Sequence, residues 1–183
     1  ILKLIGGGVV LAAGSAGTFV TLNQPSRAAR EAWRTAGQET EFRRRFLSYA
    51  LLAPNPHNLQ PWLVQLEGDD ALTLYVDLDR RLPATDPFDR QIVIGCGAFL
   101  ELLVLAAAQE GYAAEVQSFP EGEDMATLDA RPVAHVRFTA LQKKPDPLFA
   151  HVLARRSNKE AYRPEDVPED ALRSLIDEGA RFG

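Results

Sequence analysis

The sequence predicts an α+β fold, and three observations lead there. Segments of helical and strand periodicity follow in the order helix, helix, strand, strand, helix, strand, strand, helix, helix, which pairs the strands instead of alternating them with helices. The chain has 183 residues, 46% hydrophobic and 25% charged, so it can bury a core and is not disordered as a whole. Its one cysteine, Cys96, excludes an internal disulfide, so packing must hold the fold.

The elements follow in order. Residues 1–25 are set apart as an export signal or membrane anchor, because 1–22 form an apolar run whose only charge is Lys3. About 20 apolar residues suffice to cross a bilayer as a helix. The opening Leu2-Lys3 resembles the tail of a twin-arginine export signal, whose arginines would lie upstream of Ile1. A buried amino-terminal helix is the plainer alternative. Residues 26–36 read as a short helix closed by Gly37, with Ala32, Trp33 and Ala36 on one face. A second helix is expected over 39–52, where Phe42, Phe46, Tyr49 and Ala50 recur at helical spacing. Arg43, Arg44 and Arg45 start its polar side, and Pro54 and Pro56 stop it. Strands at 63–67 and 72–77 flank Gly68-Asp69-Asp70 as a hairpin. Asp86-Pro87 reads as a helix start before the apolar segment 91–110, which ends at Gly111 and is expected to be a central buried helix. Strands at 113–119 and 132–141 follow, the second with Ala134, Val136 and Phe138 facing inward. Asp146-Pro147 opens a helix to about 155, and Pro168 opens the last, with Leu172, Leu175 and Ile176 as its apolar stripe.

Charge divides the chain. The net value of −5 is too acidic for a domain whose main partner is nucleic acid. Residues 1–60 nevertheless hold seven Lys/Arg and three Asp/Glu, leaving the excess acid to the rest. Arg27, Arg30 and Arg34 thus sit beside the apolar run, where they favour an anionic membrane surface. They would keep that flank in the cytoplasm, whereas a twin-arginine signal would carry it out. An exported or membrane-associated protein is expected, with a cytoplasmic one as the alternative.

Familiar catalytic patterns are absent: the sequence has no G-x-S-x-G, no P-loop and no H-E-x-x-H. His57, His135, His151 and Cys96 lack metal-ligand spacing, and Cys96 reads as a small core residue. Asp77, Asp79, Asp86 and Asp89 are interleaved with Arg80, Arg81 and Arg90 and read as a solvated charged loop.

Two segments carry chemistry. In residues 53–62, three prolines stiffen a loop in which Asn55, His57, Asn58 and Gln60 supply neutral donors and acceptors. That set suits a flat heterocycle with carbonyl edges, while a helix-to-strand connector with Asx turns is the equal alternative. The second segment is Arg155-Arg156-Ser157-Asn158-Lys159. If extended, it projects Arg155, Ser157 and Lys159 to one side as a phosphate cradle; otherwise it is the basic end of a helix.

Taken together, the motifs resemble the nitroreductase family of FMN-dependent oxidoreductases. The family's R-R-S-x-R segment is matched by Arg155–Lys159, its V-P-x-x-x-L helix by Val167-Pro168 and Leu172, and its A-P-S-x-x-N-x-Q-P-W loop by 53–62. Here the loop comes first, which is similar to the Acg-like branch, a chain that looks like two nitroreductase folds fused. The resemblance implies a nitroreductase-like fold forming the first half of a pseudo-dimeric, two-repeat chain, with 26–145 as that half and 146–183 as the start of the second. It implies that the rest of the second half, or a dimer partner, is missing from the sequence. It implies FMN held by Arg155, Arg156, Ser157 and Lys159 at the phosphate and by Pro54, Asn55, Pro56, His57, Asn58 and Gln60 along the ring and ribityl chain. NAD(P)H would be the electron donor and a nitroaromatic, quinone or similar small molecule the acceptor. The alternative is a protein that binds or sequesters flavin without turnover.

Overall fold

The computed structural model describes residues 30–123, 126–141, 144–158 and 160–180. The expected leader at 1–25 and the side chain of Lys159 lie outside them.

Two helices open the described chain: α1, Glu31–Thr35, and α2, Phe42–Ala50. The start of α2 is capped by Glu41, whose carboxylate accepts the Arg44 N–H at 2.8 Å. The hairpin follows as β1, Trp62–Glu67, and β2, Ala71–Val76, in register from Trp62 opposite Val76 to Glu67 opposite Ala71. Helix α3, Arg90–Gln109, is apolar nearly all round, as a helix buried in a core must be. By length and composition it could cross a membrane, but its buried face lies on the sheet and on α2. Strands β3, Tyr112–Ser118, and β4, Ala134–Ala140, complete one antiparallel sheet in the order β1-β2-β4-β3.

The alternation of β2 and β4 decides which face is wet. Leu72, Leu74 and Val76 join Ala134, Val136 and Phe138 beneath α3, where Phe99, Leu103 and Ile92 are fully buried. Each such side chain contributes about 1.5–3 kcal/mol by leaving water. Phe42, Phe46, Tyr112 and Phe138 cluster at one end, with Phe42 stacked on Tyr112 at 4.9 Å. Trp62 closes the other end against Phe99, also at 4.9 Å.

Several expectations are corrected. Arg43 is not on a polar face: it is 8% exposed, and its guanidinium donates to the carbonyls of Glu67, Gly68 and Ala71 at 2.8–3.1 Å. A helix thereby caps the hairpin turn with a charge. The aspartate-rich stretch is a solvated loop only in part: Asp79, Arg80 and Arg90 are exposed, while Asp86 and Asp89 are buried. Asp89 is fully buried, pairs with Arg81 at 2.8 Å and accepts the Leu128 N–H at 2.8 Å. Asp86-Pro87 does not begin the long helix. That helix starts at Arg90, and the buried Asp86 carboxylate reaches forward to the N–H groups of Gln91 and Ile92. Both aspartates are therefore committed to local structure, and no cluster able to hold a metal occurs among the described residues. The helix expected over 146–155 is a short 3-10 helix, Pro147–His151, capped by Asp146. The final helix, α4, spans Glu169–Gly179 as expected, but Leu172, Leu175 and Ile176 are 47%, 66% and 62% exposed.

Candidate functional site

The connection from α2 to β1 is built on the side chain of Asn55. Its Oδ1 accepts the Gln60 N–H at 2.8 Å and its Nδ2 donates to the Ala53 carbonyl at 3.1 Å. The amide expected to face a ligand is thus used to close the loop on itself. Between those ends His57, Asn58 and Gln60 adopt φ of 50°, 55° and 50°, the left-handed region that non-glycine residues avoid. Arg80 supports the loop from behind, donating to the Leu59 carbonyl at 2.6 Å while Asp77 holds its Nε at 3.0 Å. Gly95 of α3 supports it from below: a Cβ there would stand 3.3 Å from Asn55 Cβ and 3.4 Å from Pro56 Cδ. The loop is held in place while the side chains of His57 and Asn58 make no hydrogen bond to other described residues.

Residues 155–157 return to this loop from the far end of the chain. Arg155 Nη2 donates to the Leu52 carbonyl at 2.7 Å, across 103 positions of sequence. The segment is neither strand nor helix. The result is a cavity of about 530 Å³. Pro54, Asn55, His57, Asn58 and Gln60 line one side, and Arg155, Arg156 and Ser157 line another. Pro56 is not part of the lining and packs toward Gly95 instead. Leu51, Leu52 and Ala53 supply further wall. So does Trp33 of α1, which sequence reasoning had given only to an apolar helix face. Arg156 lies over the Trp33 ring at 5.1 Å from its centroid, and its Nη1 donates to the carbonyls of Leu153 and Arg155.

The lining has one sign of charge. Two guanidiniums face the cavity, and no described lining residue is a carboxylate, although the chain as a whole is acidic. Arg155 Nε is buried and has no hydrogen-bond partner among the described residues. A buried guanidinium N–H left without an acceptor is costly. The volume and the mixed polar and apolar walls fit a small organic molecule bearing an anionic group.

The sequence is 31% identical over 148 residues to a Mycobacterium tuberculosis protein named provisionally as an NAD(P)H nitroreductase, covering 79% of this chain and 41% of that one. This chain is similar to proteins named as nitroreductases. A second such mycobacterial protein, named acg, is 40% identical over 90 residues, covering 48% of this chain and 27% of its own. A Serratia protein named as a probable NAD(P)H nitroreductase, PigM, is 34% identical over 70 residues, covering 36% of this chain and 19% of its own. The chain thus spans about two-fifths of the first relative's length, and less of the others. No family model matches the sequence. Among solved structures, one from Clostridium acetobutylicum, named provisionally as an NADH oxidase, overlaps loosely. Its TM-score is 0.45 at 17% identity, over 68% of this chain and 90% of its own. In the nitroreductase-like reading, the cavity joins the same two segments that carry the motif resemblance.

Proposed function

We propose that this chain forms the cofactor cavity of an FMN-dependent NAD(P)H oxidoreductase, which passes hydride through the flavin to a nitroaromatic, quinone or similar acceptor. The observation that carries the reading is the meeting of residues 53–60 with Arg155–Ser157 around one cationic cavity of about 530 Å³. Arg155 and Ser157 would hold the phosphate, and Lys159 belongs to the same proposed set from its place in the sequence motif. The Arg155 and Arg156 guanidiniums at the cavity wall supply the positive charge that such a group needs. Asn58 and His57, whose side chains bond no other described residue, would meet the ring's carbonyl and nitrogen edges. Bound FMN would supply the two-electron redox chemistry, and the protein would orient it and shield one face from water. No lining residue is assigned as acid, base or nucleophile.

The two-half arrangement belongs to the same proposal. The loop of the first half and Arg155–Ser157 of the second build one site, and either the remainder of a longer chain or a dimer partner supplies its other walls. Export or membrane attachment rests on the apolar residues 1–22 and their flanking arginines.

An absorbance spectrum of the full-length protein tests the activity. Flavin bands that bleach on adding NAD(P)H support the oxidoreductase. Flavin bands that persist point to sequestration without turnover, and protein that takes up no FMN ends both readings. As a residue test, the double substitution Arg155→Ala and Ser157→Ala is expected to lower FMN affinity at least about tenfold, since it removes charged hydrogen bonds. Asp79→Ala, outside the cavity lining, is expected to leave it unchanged; equal effects would count against the assignment.

A further inference from the structure

Three lining residues of the loop, His57, Asn58 and Gln60, are held at positive φ. Non-glycine residues persist in that conformation only where their surroundings over-determine it. Asn55 ties the loop together from within. The hold from outside comes from the end of β2. There the Asp77 N–H donates to the Pro61 carbonyl at 2.7 Å, and the Asp77 carboxylate accepts Arg80 Nε at 3.0 Å. Arg80 Nη1 in turn donates to two successive carbonyls, Leu59 at 2.6 Å and Gln60 at 3.3 Å. Successive carbonyls of an extended chain point opposite ways. Here Leu59 is right-handed helical and Gln60 left-handed, which turns both toward one nitrogen. The clamp therefore grips the strained turn itself. Arg80 is outside the cavity lining, while the side chains that turn presents are in it.

We propose that Arg80 is a positioning residue of this site. Fixed by Asp77, it holds the turn at Leu59 and Gln60 that presents His57 and Asn58 to the ring of a bound flavin. The inference rests on the FMN reading and gives Arg80 no contact with the ligand. Its side chain is half exposed, so its removal opens no void in the core.

Flavin-fluorescence titration of the full-length protein tests it with FMN and with riboflavin, which has the same ring and lacks the phosphate. Arg80→Ala is expected to weaken both by about five- to tenfold, whereas loss of Arg155 and Ser157 together acts on FMN alone. A loss confined to FMN makes Arg80 a charge acting on the phosphate and overturns the proposal, as does unchanged affinity for both. A thermodynamic cycle separates positioning from general loosening. In protein already carrying His57→Ala and Asn58→Ala, adding Arg80→Ala is expected to lower affinity by less than about twofold. A full further loss there means that Arg80 acts elsewhere, and refutes the assignment. The ligand-free protein gives another readout. The Gln60 amide, held by Asn55 Oδ1, is expected to exchange with water at least about tenfold faster in Arg80→Ala, with the amides of α3 unchanged. A Gln60 amide that exchanges as in wild type sinks the clamp. Wild-type protein that binds neither flavin overturns the functional reading, and this inference falls with it.

Discussion

Cys96 is 3% exposed on the buried side of α3, and burial alone pushes its thiol from an ordinary 9.0 up to about 12. A thiol that keeps its proton is a poor nucleophile. At pH 8, iodoacetamide is expected to leave the native protein unmodified and to alkylate it fully in 6 M guanidinium, read by mass. Rapid native labelling would contradict the packing. The sign of the pH effect follows from the same shift. Below pH 9 both folded and unfolded thiols are protonated and stability is whole. Between 9 and 12 the unfolded thiol ionises first, so stability falls by at most about 1.4 kcal/mol per pH unit. The cysteine was readable from its apolar neighbours. Arg43 and Asp89 were not, because a charge in sequence carries no mark of the distant carbonyls or the arginine that bury it.

At the scale of elements, α3 and the loop it supports are coupled through one missing side chain. Gly95 and Gly97 both lower helix propensity, by about 1 kcal/mol each against alanine. Their surroundings differ. Nothing lies within 4 Å of a Cβ on Gly97, whereas Gly95 meets Asn55 and Pro56 at 3.3 and 3.4 Å. Gly97→Ala is therefore expected to stabilise the fold by about 0.5–1 kcal/mol in a denaturant titration. Gly95→Ala should gain less or lose, and should displace the loop enough to weaken FMN binding. Equal gains at both positions would show that the loop does not rest on α3. The pairing of the strands and the run of α3 were legible because a period of two or an unbroken apolar stretch survives any context. The 3-10 helix at Pro147–His151 was not, since a proline after an aspartate opens α and 3-10 turns alike.

Over the whole molecule, the described residues fall into a packed body and an outlying helix. Leu172, Leu175 and Ile176 form the stripe that sequence spacing placed on one face, and all three are exposed. At eleven residues α4 is shorter than the roughly 12–15 that make an isolated helix even marginal in water. Its amides are expected to exchange orders of magnitude faster than those of α3 in this chain, and removing residues 168–183 should shift its melting temperature by less than about 2 °C. A larger drop would reveal packing by α4 against the body. The family resemblance put residues 53–60 and 155–159 on one ligand, and the loop and Arg155–Ser157 line one cavity. The contribution of Trp33 came only with three-dimensional placement, because no spacing links a residue in α1 to one beyond position 150.

The bond from Arg155 to the Leu52 carbonyl spans 103 positions, and that span has a consequence in time. Closing a flexible loop of that length in an unfolded chain costs about 4 kcal/mol in entropy, more than a single charged hydrogen bond returns. The contact cannot nucleate anything. It forms more cheaply once the sheet has drawn the two segments together, so the cavity is expected to form late in folding. During synthesis from the amino end, all four strands of the described sheet emerge before Arg155 does. A chain interrupted earlier would carry the loop and the sheet and still lack this cavity.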